Sequence, residues 1–487
     1  MGYENRLFIN NEWVKSKDGA TFPLVNPTTD EVVTDVFEAG SADVDAAVEA
    51  AEKAFKKWKD MPVLARAPLF ARLSQLIERD KEIFWELDRV SMGRTWSMAQ
   101  MEVMAASGLF GLYATAGLYT QGQSSLNTPG MVNFTIKQPY GVVAAIIPWN
   151  VPMIMFAMKV GPALAAGNCI IVKPSEKAPL SSLHLAALIK EAGFPPGVLS
   201  VLPGNGPVTG SLLSQHMKIR KIAFTGSVGT GKKIMQMAAG SNLKPVTLEL
   251  GGKSPAIVFE DADLDQAVRA IEFSIHHNSG QHCQANSRVF VHKSIRDKFV
   301  QNLKDLMESR KLGDPSDRET FQGPQVDKAQ QERIATFLEA GAKDGKVVTG
   351  GKTVSINGKG CFVQPTIFSD LPLSSRVCQE EIFGPVLVVN TFETEDEVLA
   401  MANDSEYGLF GSLYTKNVDR ALRFAKDMEA GAIGLNCSAP TQGLDMPVGG
   451  WKQSGIGREM FTYSMDNFLQ LKAVYLKYAD IPFGPAH

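Results

Sequence analysis

Cysteine is scarce in this chain of 487 residues: only Cys169, Cys283, Cys361, Cys378 and Cys437 occur. No two form a CxxC pair, so neither a disulfide framework nor a zinc knuckle is indicated, and no metal is expected. So few cysteines, odd in number, fit a reducing compartment in which one of them serves for its chemistry. An excess of one charge is also lacking, since the formal net charge is −3. Nothing there attracts nucleic acid or an anionic membrane surface. Long hydrophobic runs are missing too. The most apolar stretch, Val142–Ile147, falls far short of a membrane span. Met1–Arg6 holds no signal-peptide core, and Gly484–His487 is neither a retention nor a peroxisomal signal. A soluble protein of the cytoplasm, with no nucleic-acid or membrane partner, is the expectation.

What is present is ordinary globular material, 44% hydrophobic and 21% charged. The length suggests about three modules. Leu7–Ile9 and Trp13–Val14 flank an Asn10–Asn11 turn, a hairpin signal. Val44, Ala47, Val48, Ala51, Phe55 and Trp58 then recur at helical spacing, with Ser41 as the expected N-cap. More helix follows to about Gly117. From Gly141 short apolar runs alternate with helices. Val142–Ile147, Cys169–Val172, Leu199–Leu202, Ile222–Phe224 and Val246–Leu250 read as strands, with Leu183–Ala192 and Lys232–Ala239 as helices between them. Strands buried on both faces and separated by helices mean a parallel sheet in an α/β fold. A second alternation from Pro255 to about Gly434, with strands Ala256–Phe259 and Val289–Val291, predicts a second α/β domain.

Two glycine clusters follow strands. Gly204, Gly206 and Gly210 follow Leu199–Leu202, where glycine lets backbone N–H groups approach a pyrophosphate or simply makes a tight turn. Gly226 to Lys232 fits the phosphate-loop spacing GxxxxGK, but Lys233 stands where Ser or Thr should hold magnesium. A nucleotide-binding protein or hydrolase is therefore an alternative reading of that segment.

Cys283 lies among polar residues, His276-His277-Asn278-Ser279-Gly280-Gln281-His282-Cys283, which does not resemble a core strand. The three histidines raise a metal reading, but no acidic ligand accompanies them. Glu249 sits at a strand end before Gly251 and Gly252, opposite in facing to Val246 and Leu248. Parallel sheets place ligand chemistry at such ends. Asn150 follows Ile147-Pro148-Trp149 at another strand end, where its amide can donate to an oxyanion or merely form a turn.

Taken together, these segments resemble the NAD(P)-dependent aldehyde dehydrogenase superfamily, of the hydrolytic, non-acylating type. The motifs run in order: Pro148-Trp149-Asn150, Lys173-Pro174-Ser175-Glu176, Phe224-Thr225-Gly226-Ser227, Glu249-Leu250-Gly251-Gly252-Lys253, Gly280-Gln281-His282-Cys283, Glu381-Ile382-Phe383-Gly384-Pro385 and Gly455-Ile456-Gly457-Arg458-Glu459. The resemblance implies a Rossmann-like dinucleotide-binding domain (residues 1–120 and 141–250), an α/β catalytic domain (251–450) and a β oligomerisation extension (121–140 and 451–487). A homodimer or homotetramer is implied with it.

Carried over by residue, Cys283 is the nucleophile, Glu249 the general base, Asn150 the oxyanion donor, and Lys159 a further lysine near the active site. Lys173, Ser175 and Glu176 match positions around the adenosine ribose. Thr225, Gly226, Ser227, Gly206 and Gly210 match the pyrophosphate side. Ile146, Pro148, Trp149 and Leu250 match further cofactor contacts, and Glu381 and Phe383 seat the nicotinamide end. An aldehyde cannot lose hydride to become an acid until a nucleophile has made a tetrahedral adduct. Hence the implied sequence is thiol addition, hydride loss to the nicotinamide, a thioester, and hydrolysis with Glu249 as base. The glutamate separates this type from relatives that pass the acyl group to coenzyme A. Glu176 accepts a ribose 2′-hydroxyl and repels a 2′-phosphate, so NAD is preferred, with NADP possible. Where many relatives carry aromatics along the substrate tunnel, this chain has Val151, Met158, Val448 and His277, with Met155 nearby, His282 before the nucleophile, and a Ser438–Met446 loop about one residue longer. Smaller walls imply a bulky or aromatic aldehyde. Refilling of the space by Met153, Met155 and Met158 is the other reading.

Overall fold

The computed structural model describes residues 2–440 and 443–480. The motif Gly484–His487 and two residues of the Ser438–Met446 loop lie outside them.

The Asn10–Asn11 turn closes the hairpin as expected, both residues having positive φ (54° and 61°) between strands Leu7–Ile9 and Glu12–Val14. Such a two-residue turn matches the right-handed twist of its strands. The first long helix spans Ser41–Trp58, and its N-cap is Gly40, not Ser41. The Asp43 carboxylate accepts the Gly40 N–H at 3.0 Å, so an acidic side chain of the first turn satisfies the cap residue's own N–H, a different bond from the one expected of Ser41.

Five strands, Leu199–Val201, Cys169–Lys173, Val142–Ile146, Ile222–Thr225 and Val246–Glu249, lie parallel in that spatial order. Val142–Ile146 and Cys169–Lys173 are buried at every residue, because helices cover both faces. The hairpin joins one edge antiparallel, and Gly455–Ile456 joins the other. The strand Gly455–Ile456, from the segment assigned to the extension, is therefore the eighth strand of this sheet. Helix Trp96–Ala116, with its continuation to Tyr119, is longer than the Val142 run and is long and apolar enough, by length and composition only, to cross a membrane. Here it buries Val103, Leu109, Phe110 and Tyr113 in the core of this first sheet.

A second sheet of seven strands carries Ser254–Val258, Asn286–His292, Val386–Phe392 and Phe410–Tyr414 at its centre, all parallel. Strand Met131–Pro139 pairs antiparallel with Leu469–Lys477 along nine residues in a separate three-stranded sheet. The α/β class and the parallel sheets expected from the sequence are thus present.

Candidate active site

The strand order of the first sheet reverses between Val142–Ile146 and Ile222–Thr225. From the first the chain moves to Cys169–Lys173 on one side, and from the second to Val246–Glu249 on the other. Divergent connections open a crevice beyond the carboxyl ends of those strands. A cleft of about 290 Å³ lies there. Pro148, Trp149 and Asn150 enter it from one strand end, and Thr225, Gly226 and Ser227 from the next. Leu250, Gly251, Cys283, Glu381 and Phe383 complete the wall, with Gln330 and Arg333.

Cys283 is carried by a loop held in an unusual backbone conformation. Asn278, Ser279 and Gly280 all have positive φ (50°, 58° and 73°). Two of the three are not glycine, so their surroundings must hold them there. The Asn278 Nδ2 donates to the carbonyl of Asn150 (2.9 Å) and to that of Gln281 (3.2 Å). The Asn150 Nδ2 donates to the same Gln281 carbonyl at 3.0 Å. Gln281 in turn accepts the Val326 N–H at 2.9 Å. The nucleophile loop and the Asn150 strand end are therefore braced together. Gly251 and Gly252 allow a close approach from the other side. A Cβ on Gly252 would lie 2.2 Å from the Cys283 carbonyl oxygen, and one on Gly251 would lie 2.3 Å from a Glu381 carboxylate oxygen. Glu381 accepts the Gly252 N–H at 2.9 Å. Phe383, itself at φ 62°, meets Trp149 edge-on at 5.4 Å.

Glu249 pairs in register with Thr225 and is 7% exposed. Its Oε1 has no hydrogen-bond partner. Burial, and then the charge of Glu459, push its carboxyl up to about 8, against Lys159 and Arg458. Lys159, fully buried, is ion-paired with Glu459. The half-buried Cys283 thiol is also raised, first by burial and then by Glu249 and Glu381. His277 and His282 face each other edge-on at 5.5 Å. Burial, aided by the charge of Arg94, holds both below the usual imidazole value, His282 at about 4. Both rings are neutral near pH 7.

On the far side of the cleft, Lys173 Nζ reaches the Pro174 carbonyl (3.0 Å) and Glu176 (3.4 Å). The Ser175 hydroxyl is 3.4 Å from the same carboxylate oxygen of Glu176. Gly206 and Gly210 bound a one-turn helix after Leu199–Val201, with open space where a Cβ would be. Ser227 caps helix Val228–Ala239 by accepting the Thr230 N–H at 3.4 Å. The helix begins at Val228, not at Lys232, so the glycines after Ser227 belong to its first turns and form no loop. Lys232 turns away and donates to Gln453 at 2.9 Å. A phosphate loop needs its lysine free for phosphates. The nucleotide-hydrolase alternative is not favoured.

Comparison with known proteins gives this geometry a family. A model described as the aldehyde dehydrogenase family matches residues 13–474. The chain belongs to the aldehyde dehydrogenase family. An aldehyde dehydrogenase of Alternaria alternata is 44% identical over 481 residues, covering 98% of this chain and 96% of that protein. A solved NAD+ complex of an aldehyde dehydrogenase from Bacillus cereus superposes with a TM-score of 0.95 at 41% identity, covering 97% and 96% of the two chains. An indole-3-acetaldehyde dehydrogenase of P. syringae, solved in complex with NAD+ and IAA, gives 0.96 at 36% identity over 98% and 97%.

Set against this aldehyde dehydrogenase frame, the residues named from the sequence fall in separate places. Cys283, Asn150, Glu381, Phe383, Pro148, Trp149, Thr225, Gly226, Ser227 and Leu250 border one cleft. Ile146 is buried in its strand just before it. Lys159 is ion-paired with Glu459, and the charges of both act on Glu249. Val151, Met158, His277 and Val448 are buried, while Met155 and His282 are half-buried. Met153, Met158 and Val448 pack into the core of the first sheet. Polar residues close to the site that had no assigned role in the sequence include Gln330 and Arg333 in the cleft wall and, behind it, Arg94, Glu102 and Asn278. Glu102 did carry a signal, being the one charged residue in the 21-residue helix Trp96–Ala116. A lone charge in so apolar a helix calls for a buried partner.

Proposed function

We propose that this protein oxidises an aldehyde to the free carboxylic acid with a nicotinamide dinucleotide. The observation that carries the reading is the placing of Cys283, Asn150 and Glu381 around one cleft at the topological switch point, with Glu249 buried and unpartnered at an adjoining strand end. The residues present suit a dinucleotide. The helix N-terminus at Ser227 favours a pyrophosphate, and Thr225 Oγ1 is buried without a hydrogen-bond partner beside it. Glu176 would take the adenosine ribose with Lys173, and Glu381 and Phe383 would hold the nicotinamide end. When bound, the cofactor supplies the hydride acceptor.

The chain's own residues do the rest. Cys283 adds to the aldehyde carbon through its thiolate. The resting thiol is raised, so its proton must leave to solvent as substrate binds. One N–H of the Asn150 amide is used on Gln281, which leaves the second for the developing oxyanion, with the Cys283 backbone N–H as the other donor. Loss of hydride leaves a thioester on Cys283. Glu249 then takes a proton from water, and the acid leaves. A Glu176 carboxylate favours NAD over NADP.

Short side chains at Val151 and Val448, and the likeness to an indole-3-acetaldehyde dehydrogenase, support a bulky or aromatic aldehyde. Five free cysteines support a reducing, cytoplasmic setting. Leu471 and Tyr475 are 67% and 68% exposed on strand Leu469–Lys477, which supports association with a second copy. A panel of aldehydes of rising size, run with NAD and NADP in parallel, tests the reading. NADH formation strongest with aryl aldehydes is expected. Preference for acetaldehyde overturns the substrate class, and higher efficiency with NADP overturns the cofactor choice.

A further inference from the structure

We infer that Arg94 is a positioning residue for the reaction, whose guanidinium holds the Asn150 strand end and the Cys283 loop in register. The inference rests on the dehydrogenase reading above. Arg94 does not border the cleft and touches no reacting atom. It follows Gly93, whose left-handed conformation (φ 74°) ends helix Lys81–Met92 and turns the chain inward. The side chain is 1% exposed.

Its hydrogen bonds reach both halves of the site. Nη2 donates to the Asn150 carbonyl at 2.6 Å, and Nη1 donates to Asn278 Oδ1 at 3.0 Å. Asn278 is the first of the three left-handed residues before Cys283. Its amide nitrogen returns to the Asn150 carbonyl (2.9 Å) and to the Gln281 carbonyl (3.2 Å). The ring closes where Asn150 Nδ2 donates to that same Gln281 carbonyl. Arg94 is fixed in turn by Glu102, ion-paired at 2.6 Å. The other Glu102 oxygen accepts the N–H groups of Met153 (2.9 Å) and Ile154 (3.3 Å), in the first turn of helix Pro152–Ala165.

The arrangement locates three things relative to one another: the backbone of Asn150, the start of the helix after it, and the loop that presents Cys283. The planar fork suits this task, because two nitrogens in fixed geometry contact two elements at once. A lysine at this position has a point charge and can serve only part of the set. An oxyanion donor is effective only if aimed within a few tenths of an ångström of where charge develops. Arg94 therefore acts on rate through Asn150.

A double-mutant cycle separates this role from simple support of the fold. Arg94→Met and Arg94→Lys are made alone and in an Asn150→Ala background. kcat and KM for NADH formation are measured, with NAD binding and thermal melting as checks on folding. Arg94→Met is expected to lower kcat about 10–100-fold, with Arg94→Lys intermediate and KM for NAD within about twofold. In the Asn150→Ala background the same change is expected to cost less than about threefold. Equal losses in both backgrounds, or an unchanged kcat in folded Arg94→Met, overturn the inference. If Arg94→Met does not fold, Arg94→Lys carries the cycle under the same criteria. No NADH from the unsubstituted enzyme overturns the dehydrogenase reading and this inference together; NADH from it with additive losses overturns this inference alone.

Discussion

Replacing Glu249 by Gln keeps the side chain's shape and removes the base. The carboxyl lies at the end of strand Val246–Glu249 with one oxygen unpartnered, and burial and then Glu459 raise it to about 8. In the proposed sequence ionised Glu249 is required for release of the acid. With that midpoint, about a tenth of the enzyme is ionised near pH 7 and about nine tenths near pH 9. Turnover limited by thioester hydrolysis should therefore rise about tenfold across that range. In Glu249→Gln the rise should vanish, and turnover should fall about 10²–10⁴-fold. The first turnover is less dependent on the base. Stopped-flow mixing with aldehyde and NAD should give a burst approaching about one NADH per Cys283, then almost nothing. Acid quenching and mass spectrometry should find the acyl group on Cys283. Linear NADH formation with no burst, at a rate within about threefold of the parent, would refute the reasoning.

Asn150→Ala should lower kcat about 10²–10³-fold while NAD affinity, read by calorimetry, stays unchanged; equal loss of both would remove the oxyanion role. Glu176→Gln keeps an acceptor for the ribose hydroxyl and removes the charge that repels a 2′-phosphate. Its ratio of kcat/KM for NADP over NAD should rise roughly tenfold, and an unchanged ratio would show that Glu176 does not set the choice. The folded protein holds a proton on Glu249 that the unfolded chain gives up between its ordinary value of 4.5 and about 8. Its contribution to stability therefore falls as pH rises through that window. Glu249→Gln should flatten that part of the melting-temperature profile, and parallel profiles would contradict the buried, raised carboxyl. Leu471→Lys with Tyr475→Lys places two charges on the exposed face of strand Leu469–Lys477. Light scattering should show a smaller particle, and an unchanged mass would move the association surface elsewhere.

The first sheet was legible because its strands are continuous apolar runs between helices, and burial on both faces leaves no other place for Val142–Ile146 or Cys169–Lys173. The cleft was legible because its residues sit at strand ends, within short ordered motifs. What periodicity could not show was pairing between distant segments. Gly455–Ile456 is two residues long, and only its hydrogen bonds to Val246–Glu249 make it a strand of the first sheet. The cap at Gly40 depends on where the Asp43 carboxylate turns, which residue preferences do not decide. The spacing at Gly226–Lys232 left the phosphate-loop alternative open for a similar reason. It counts residues, whereas a phosphate loop requires the chain to stay out of a helix until its lysine, and here the helix starts at Val228. Asn278 is far along the chain from Arg94 and Glu102, and their common purpose exists only in the folded geometry.

The most direct test of the account is NADH formation from an aldehyde and NAD by the unsubstituted protein and by Cys283→Ala, with the product identified by mass spectrometry in water labelled with heavy oxygen. The account predicts NADH and a carboxylic acid carrying one labelled oxygen from the hydrolysis step, and neither from Cys283→Ala, which should still bind NAD. Labelled acid formed equally well without the Cys283 thiol, or no NADH from the parent across the aldehyde panel with either dinucleotide, would contradict it.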